Sequence, residues 1–129
     1  MDDTLIRRVM PNSAETEKAV IGCILMDKDK MTDVADILVP DDFYHSEYRA
    51  IYQAMVQINA EGRPVDLVTV IERLRTMNVP PEICSLEFMK EVADSEATAA
   101  NAKHYAKIIK EKSLLRRVIK AVSYTHLTL

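Results

Sequence analysis

Apolar residues return every three or four positions along most of this chain, the period of helices that bury one face, and short polar or proline-containing breaks separate the repeats. Ala19, Val20, Ile24 and Leu25 define the buried stripe of a first helix over roughly 14–26. Asn12 or Ser13 is placed to accept hydrogen bonds from its free first-turn amides, and Glu15 and Glu17 favour the positive end of its dipole. After the charged turn DKDK, a second helix carries Met31, Val34, Ile37 and Leu38 and ends at Val39, because a residue before proline avoids the helical region. A link through Asp41, Asp42, Phe43 and Tyr44 leads to a third helix with Ser46 as its cap and Tyr48, Ile51, Tyr52, Met55 and Ile58 on its inner face. Gly62 and Pro64 shape the next turn, and Asp66 caps a fourth helix whose Leu67, Val70, Ile71 and Leu74 face inward. Asn78, Val79, Pro80 and Pro81 stop it, and Ser85 caps a short fifth helix carrying Leu86, Met89 and Val92.

The longest element is predicted over 98–121, with Thr98 as its cap. Tyr105, Ile108, Leu115, Ile119 and Val122 recur at alternating three- and four-residue steps, interrupted by Lys112, and Ala102, Ala106 and Ile109 widen the stripe. That is the spacing of a coiled-coil or helical-hairpin seam. At about 1.5 Å per residue such a helix reaches past the edge of a small domain, so its exposed length implies a partner; the plainer alternative is the last core helix of a bundle. The expected fold is all-α, a compact orthogonal bundle of about five short helices followed by a long C-terminal helix.

Composition agrees. At 129 residues and 48% hydrophobic, the chain suits one domain burying about two thirds of its unfolded surface. Two glycines and no tryptophan leave little chemistry for tight hairpins. The net charge of −3 argues against a domain whose main task is to neutralise phosphates. The charge is uneven, however. Lys103, Lys107, Lys110, Lys112, Arg116, Arg117 and Lys120 crowd the last helix, which suits either an acidic neighbour or a solvated basic face. Cys23 and Cys84 lack CxxC spacing and are read as reduced thiols, Cys23 as a small core residue. Neither a signal peptide nor a membrane span is evident, and a cytoplasmic location is expected.

The search for reaction chemistry is negative. There is no GxxxxGK[ST] phosphate loop and no GxGxxG, so the residues present are not read as an ATPase and no cofactor is assigned. HExxH is absent, and His45, His104 and His126 have no helical partner at ligand spacing, so no metal is assigned. Asp41 and Asp42 are read as a solvated turn, since adjacent side chains diverge. Neither cysteine has a base nearby in sequence, and no catalytic residue is assigned. A helix-turn-helix reading would put Arg73 and Arg75 near phosphates, but DLVTVIERL spends its face on core residues.

Four blocks, taken in order, carry a resemblance: PNSAETEKAVIGCIL, LVPDDFYHSEYRAIYQAM, GRPVDLVTVIERL and AANAKHYAKIIKEKSLLRRVI. Together they resemble the N-terminal domain of DnaB-family replicative helicases over nearly all of 11–121. The most specific elements are Glu17, Ala19, Val20 and Gly22, the PVDLVT block at 64–69, and the series Asn101, Tyr105, Ala106, Lys112 and Arg116. The resemblance implies the collar of a hexameric ring, in which copies pair through the head and a helical hairpin and which binds primase during DNA replication. ATP, magnesium and DNA would be handled by a motor domain further along such a protein, and a helicase loader is a further implied partner. On this reading 1–12 is a mobile leader, 13–97 the head and 98–121 the first arm of the hairpin. Glu15, Phe88 and Ile119 fall on family positions near primase-facing or subunit-facing surfaces, and Tyr105, Ile108 and Leu115 are candidates for hairpin and dimer contacts. Two departures stand out. Cys84 and Ser85 replace a common Gly-Gly turn, and 122–129, VSYTHLTL, resembles translated sequencing-adapter sequence and is expected to be non-native, so that the hairpin's second arm is missing. The competing expectation is a stand-alone helical DNA-binding regulator using Arg73, Arg75 and the basic last helix.

Overall fold

A computed structural model describes residues 10–128, with side chains as far as Ser123; the start of the expected leader, Leu129 and the side chains of 124–128, that of His126 among them, lie outside the described residues. Among the described residues five shorter helices precede one long one, as the hydrophobic pattern predicts: α1 (Ala14–Met26), α2 (Lys30–Ala35), α3 (Ser46–Ala60), α4 (Leu67–Thr76), α5 (Leu86–Ala93) and α6 (Ala102–Thr128), with a 3-10 turn at Pro40–Asp42. No strand occurs among the described residues.

Local chemistry accounts for most of the boundaries. Ser13 Oγ accepts from the Thr16 amide at 3.2 Å and starts α1. Asp66 Oδ1 accepts from the Thr69 amide at 2.9 Å while Thr69 Oγ1 accepts from the Asp66 amide at 3.0 Å, a reciprocal cap that opens α4. Ser85 Oγ does the same for α5, accepting from the Phe88 amide at 3.1 Å. The chain before it runs as hydrogen-bonded turns, Ile83 N–H to Pro80 O and Cys84 N–H to Pro81 O, each 3.1 Å, so no glycine pair is required there. Gly62 adopts φ +73°, a left-handed conformation that disfavours a side chain.

Four expectations need correction. The second helix stops at Ala35, and Ile37 and Leu38 follow in a turn bonded to Val34 O; the proline effect acts on Val39, which is extended at φ −109° and ψ 162°. Ser46 is the first residue of α3 rather than its cap; the cap position belongs to His45, whose side chain makes no capping bond. The long helix runs from Ala102 to Thr128 and not over 98–121: 99–101 form a turn closed by Ala102 N–H to Ala99 O, and the helical backbone continues past Ala121. Leu86 is 51% exposed, because α5 turns Met89 and Val92 fully inward, with Phe88 half-buried beside them.

Helix α1 is the centre of the head, packing on α2, α3, α5 and α6. Val20, Ile21, Cys23 and Ile24 are wholly buried, which confirms Cys23 as a core residue; each large aliphatic side chain so placed contributes about 1.5–3 kcal/mol. Gly22 explains how closely α5 can approach. A Cβ at that position would meet Val92 O at 2.6 Å and Ser95 Oγ at 2.5 Å, so the backbones can come together only where a side chain is missing. From α3, Tyr48, Ile51, Tyr52, Met55 and Ile58 complete the core, with the Tyr52 hydroxyl donating to Leu38 O at 2.9 Å and its ring 4.8 Å from that of Phe43.

Candidate interaction surface on the long helix

The face of α6 turned to the head is Ala102, Ala106, Ile109, Ser113 and Arg116, again at steps of three and four. It begins small and apolar and ends polar, and the polar end requires buried partners. These come from the link between α2 and α3. Asp42, read from sequence as part of a solvated turn, is wholly buried, while its neighbour Asp41 is exposed. The difference follows from the 3-10 turn, which points Asp42 back at the chain and at α6. Its carboxylate accepts from the Val39 amide at 2.8 Å, from Ser113 Oγ at 2.7 Å, from Lys110 Nζ at 3.2 Å and from Arg117 Nη2 at 3.2 Å. Burial pushes the Asp42 pKa up, but the bonds from Ser113, Val39 and Lys110 outweigh it and hold the group below the ordinary carboxylate range.

Arg116 makes the second half of this lock. Its Nη2 donates to Asp42 O at 2.7 Å and Nη1 to Pro11 O at 2.9 Å, and its guanidinium lies 5.2 Å from the centre of the Tyr44 ring. One residue thereby ties the start of the head, the link and the long helix. Glu17 ties α1 to the same link, accepting from the Tyr44 amide at 2.9 Å and, at 3.0 Å, from the amide of His45, the residue at the cap position of α3. Burial raises its pKa, partly offset by those two bonds. Arg49 closes the knot by donating to Phe43 O and Tyr44 O, each at 3.2 Å. The sequence offered one signal for this: Ser113 and Arg116 continue the Ala102–Ala106–Ile109 register, and polar groups on a buried stripe imply partners elsewhere.

With α6 fixed in this way, the opposite face is left uncovered. Leu114, Leu115, Val118 and Val122 are 47–64% exposed, a run of large apolar side chains on one long helix. Leu115 lies within this run; Tyr105, Ile108 and Ile119 flank it half-buried, with Tyr105 packed against the head's core. The seam read from sequence therefore divides. Its first residues lean on the head, and its outer part is better described by Leu114 and Val118, which the sequence reading did not single out, together with Leu115 and Val122. Glu15 is exposed in the first turn of α1, and Phe88 is half-buried against the core on α5; neither belongs to the α6 stripe.

No group of three or more His, Cys, Asp or Glu side chains among the described residues is placed to hold a metal ion, and no described helix is long and apolar enough to cross a membrane. Arg73 is taken up by Glu61 at 2.6 Å and Gln57 at 3.1 Å, while Val70, Ile71 and Leu74 of the same helix are buried, so α4 is a core helix.

The sequence profile described as DnaB-like helicase N terminal domain matches residues 9–111. The replicative DNA helicase DnaC of Bacillus subtilis (strain 168) is 40% identical over 123 residues, which is 95% of this chain but 27% of that protein, so the chain spans about a quarter of the length of such relatives. The crystal structure of the N-terminal domain of DnaB helicase from Mycobacterium tuberculosis superposes with a TM-score of 0.84 at 34% identity, covering 89% of this chain and 82% of that one. The N-terminal domain of DnaB helicase from Helicobacter pylori, a structure described with its interactions with primase, has the same fold, with a TM-score of 0.73 at 18% identity over 99% and 98% of the two chains.

Proposed function

This chain belongs to the family of DnaB-like helicase N-terminal domains, and from that footing we propose that it is the collar domain of a replicative hexameric helicase, holding subunits together and docking primase during DNA replication. The observation that carries the reading is the pairing of a rigidly seated α6 with an outward apolar stripe. Asp42 and Arg116 fix the helix on the head, and Leu114, Leu115, Val118 and Val122 are left to meet another helix. In the full protein that helix is the second arm of the same hairpin and then the hairpin of a neighbouring subunit. Tyr105, Ile108, Leu115 and Ile119 serve that seam. Glu15 and Phe88, away from it, serve primase or the adjacent head.

The residues present carry no catalysis on this reading. Relatives are replicative helicases, and unwinding, with its ATP, magnesium and DNA contacts, belongs to a separate motor domain. A helicase loader is a further partner, and the cytoplasm the site of action. The stand-alone DNA-binding alternative has less support, because Arg73 is already paired and α4 spends its apolar face on the core.

Sedimentation of the wild type against Leu115→Asp tests the seam. Leu115 is half exposed, so the substitution should change folding stability by no more than about 0.5 kcal/mol. The wild type should associate weakly as concentration rises and the variant should stay monomeric; identical sedimentation of the two would refute the role of this face.

A further inference from the structure

A pocket of about 510 Å³ opens beside the 3-10 turn, between α3 and α6, lined by Asp41, Arg49, Ser113, Arg116, Arg117 and Lys120. Four of these six side chains are cationic, in a chain whose formal net charge is −3. The charges around it do not cancel. Among the described residues, the carboxylates placed beside Arg49, Arg116, Arg117, Lys120 and the adjoining Lys110 are those of Asp41, Asp42 and Glu17. Asp42 is already engaged by Lys110 and Arg117. Arg49 donates to Phe43 O and Tyr44 O, and Arg116 to Pro11 O and Asp42 O, and neither forms an ion pair with a carboxylate among the described residues. Carbonyls satisfy the N–H groups of a guanidinium without neutralising its charge. Burial pulls the Arg116 pKa below its ordinary value; Glu17 and Asp42 oppose this, and the neighbouring charge of Arg49 adds to it.

We propose that this pocket binds a phosphate dianion, either free or carried at the end of a small molecule. Arg49 and Arg116 make a cationic wall whose orientation is set by their carbonyl bonds, and Arg117, which holds Asp42 through Nη2 and keeps its other N–H groups, stands exposed at the rim with Lys120 to donate to the incoming oxygens. Guanidinium forks match phosphate oxygens in pairs, and a lysine adds a mobile point charge. The excess of two positive charges selects a dianion over a single carboxylate. The site is also a recess and not a stripe. Lys103 and Lys107, exposed earlier on α6, lie outside it, which separates it from the extended tracks that follow a nucleic-acid backbone. This inference does not rest on the collar reading.

The test is a two-dimensional amide NMR titration of the intact chain with inorganic phosphate, pyrophosphate and ADP at constant ionic strength. Saturable shifts should centre on 41–42 and 113–120. Arg117→Gln with Lys120→Gln should weaken binding at least about tenfold, while Lys103→Gln with Lys107→Gln should leave it unchanged. Should loss of the Arg117–Asp42 contact unfold the first pair, Lys120→Gln alone should weaken binding about threefold. Tighter binding of ADP than of inorganic phosphate would identify a carried phosphate, and equal binding a free one. Absence of saturation, equal loss in both double variants, or preference for an oligonucleotide without a terminal phosphate would overturn the proposal.

Discussion

Replacing Asp42 with alanine should be the most damaging single change at the junction of head and long helix. The substitution removes a wholly buried carboxylate that accepts hydrogen bonds from four donor groups. The Ser113 hydroxyl would lose its partner in a buried setting, at about 1–3 kcal/mol, and the Val39 amide, on a half-exposed residue, would lose one at about 1 kcal/mol. Lys110 and Arg117 have side chains 33% and 54% exposed and can turn to water, so their share is small. The total is about 2–4 kcal/mol, which reaches the range expected when one member of a buried ionic cluster is deleted. Urea unfolding followed by circular dichroism should show the midpoint fall with little change in slope. Asp41→Ala is the control: Asp41 is exposed, and its loss should cost no more than about 0.5 kcal/mol. The wild-type advantage over Asp42→Ala should also depend on pH. Because the folded pKa of Asp42 lies below its unfolded value, the carboxylate stabilises the fold above about pH 4 and loses this effect as pH falls through the lower, folded pKa. A cost below about 1 kcal/mol, or equal effects at the two aspartates, would refute the reasoning.

Glu17 should titrate with the opposite sign. Burial raises its folded pKa, so the wild type should lose stability relative to Glu17→Gln as pH rises from about 4.3 through that folded value and then level off, as measured by urea midpoints; a difference independent of pH would count against the assignment. Gly22→Ala should destabilise by about 1–3 kcal/mol although alanine favours helices, because the new Cβ would press on Val92 O; a stabilised variant would show that α5 can move away at no cost.

What could be read from the sequence was whatever chemistry is local. The limits of α1 and the caps at Ser13, Asp66 and Ser85 follow from side chains within three residues of the amides they serve. The inner face of α3 follows from its period, and all five residues expected there are buried. Asp42 was illegible because its partners on α6 lie 68 to 75 residues away. A carboxylate beside another carboxylate in a turn is ordinarily solvated, and only the packing of α6 makes this one an exception. Glu17 misled in a related way. Its place in the first turn of α1 suggested a role at the helix dipole, whereas its carboxylate serves the start of a different helix. On α6 the three-four period admitted two neighbouring stripes, and hydrophobicity alone did not separate the stripe that meets the head from the one left for a partner.

The claim that this domain is a docking collar is tested most directly by size-exclusion chromatography of the chain mixed with the helicase-binding domain of primase, with no nucleic acid present. The account predicts that the two co-elute. It would be contradicted if they eluted separately at micromolar concentrations while the chain alone bound duplex DNA with an affinity that fell steeply with added salt.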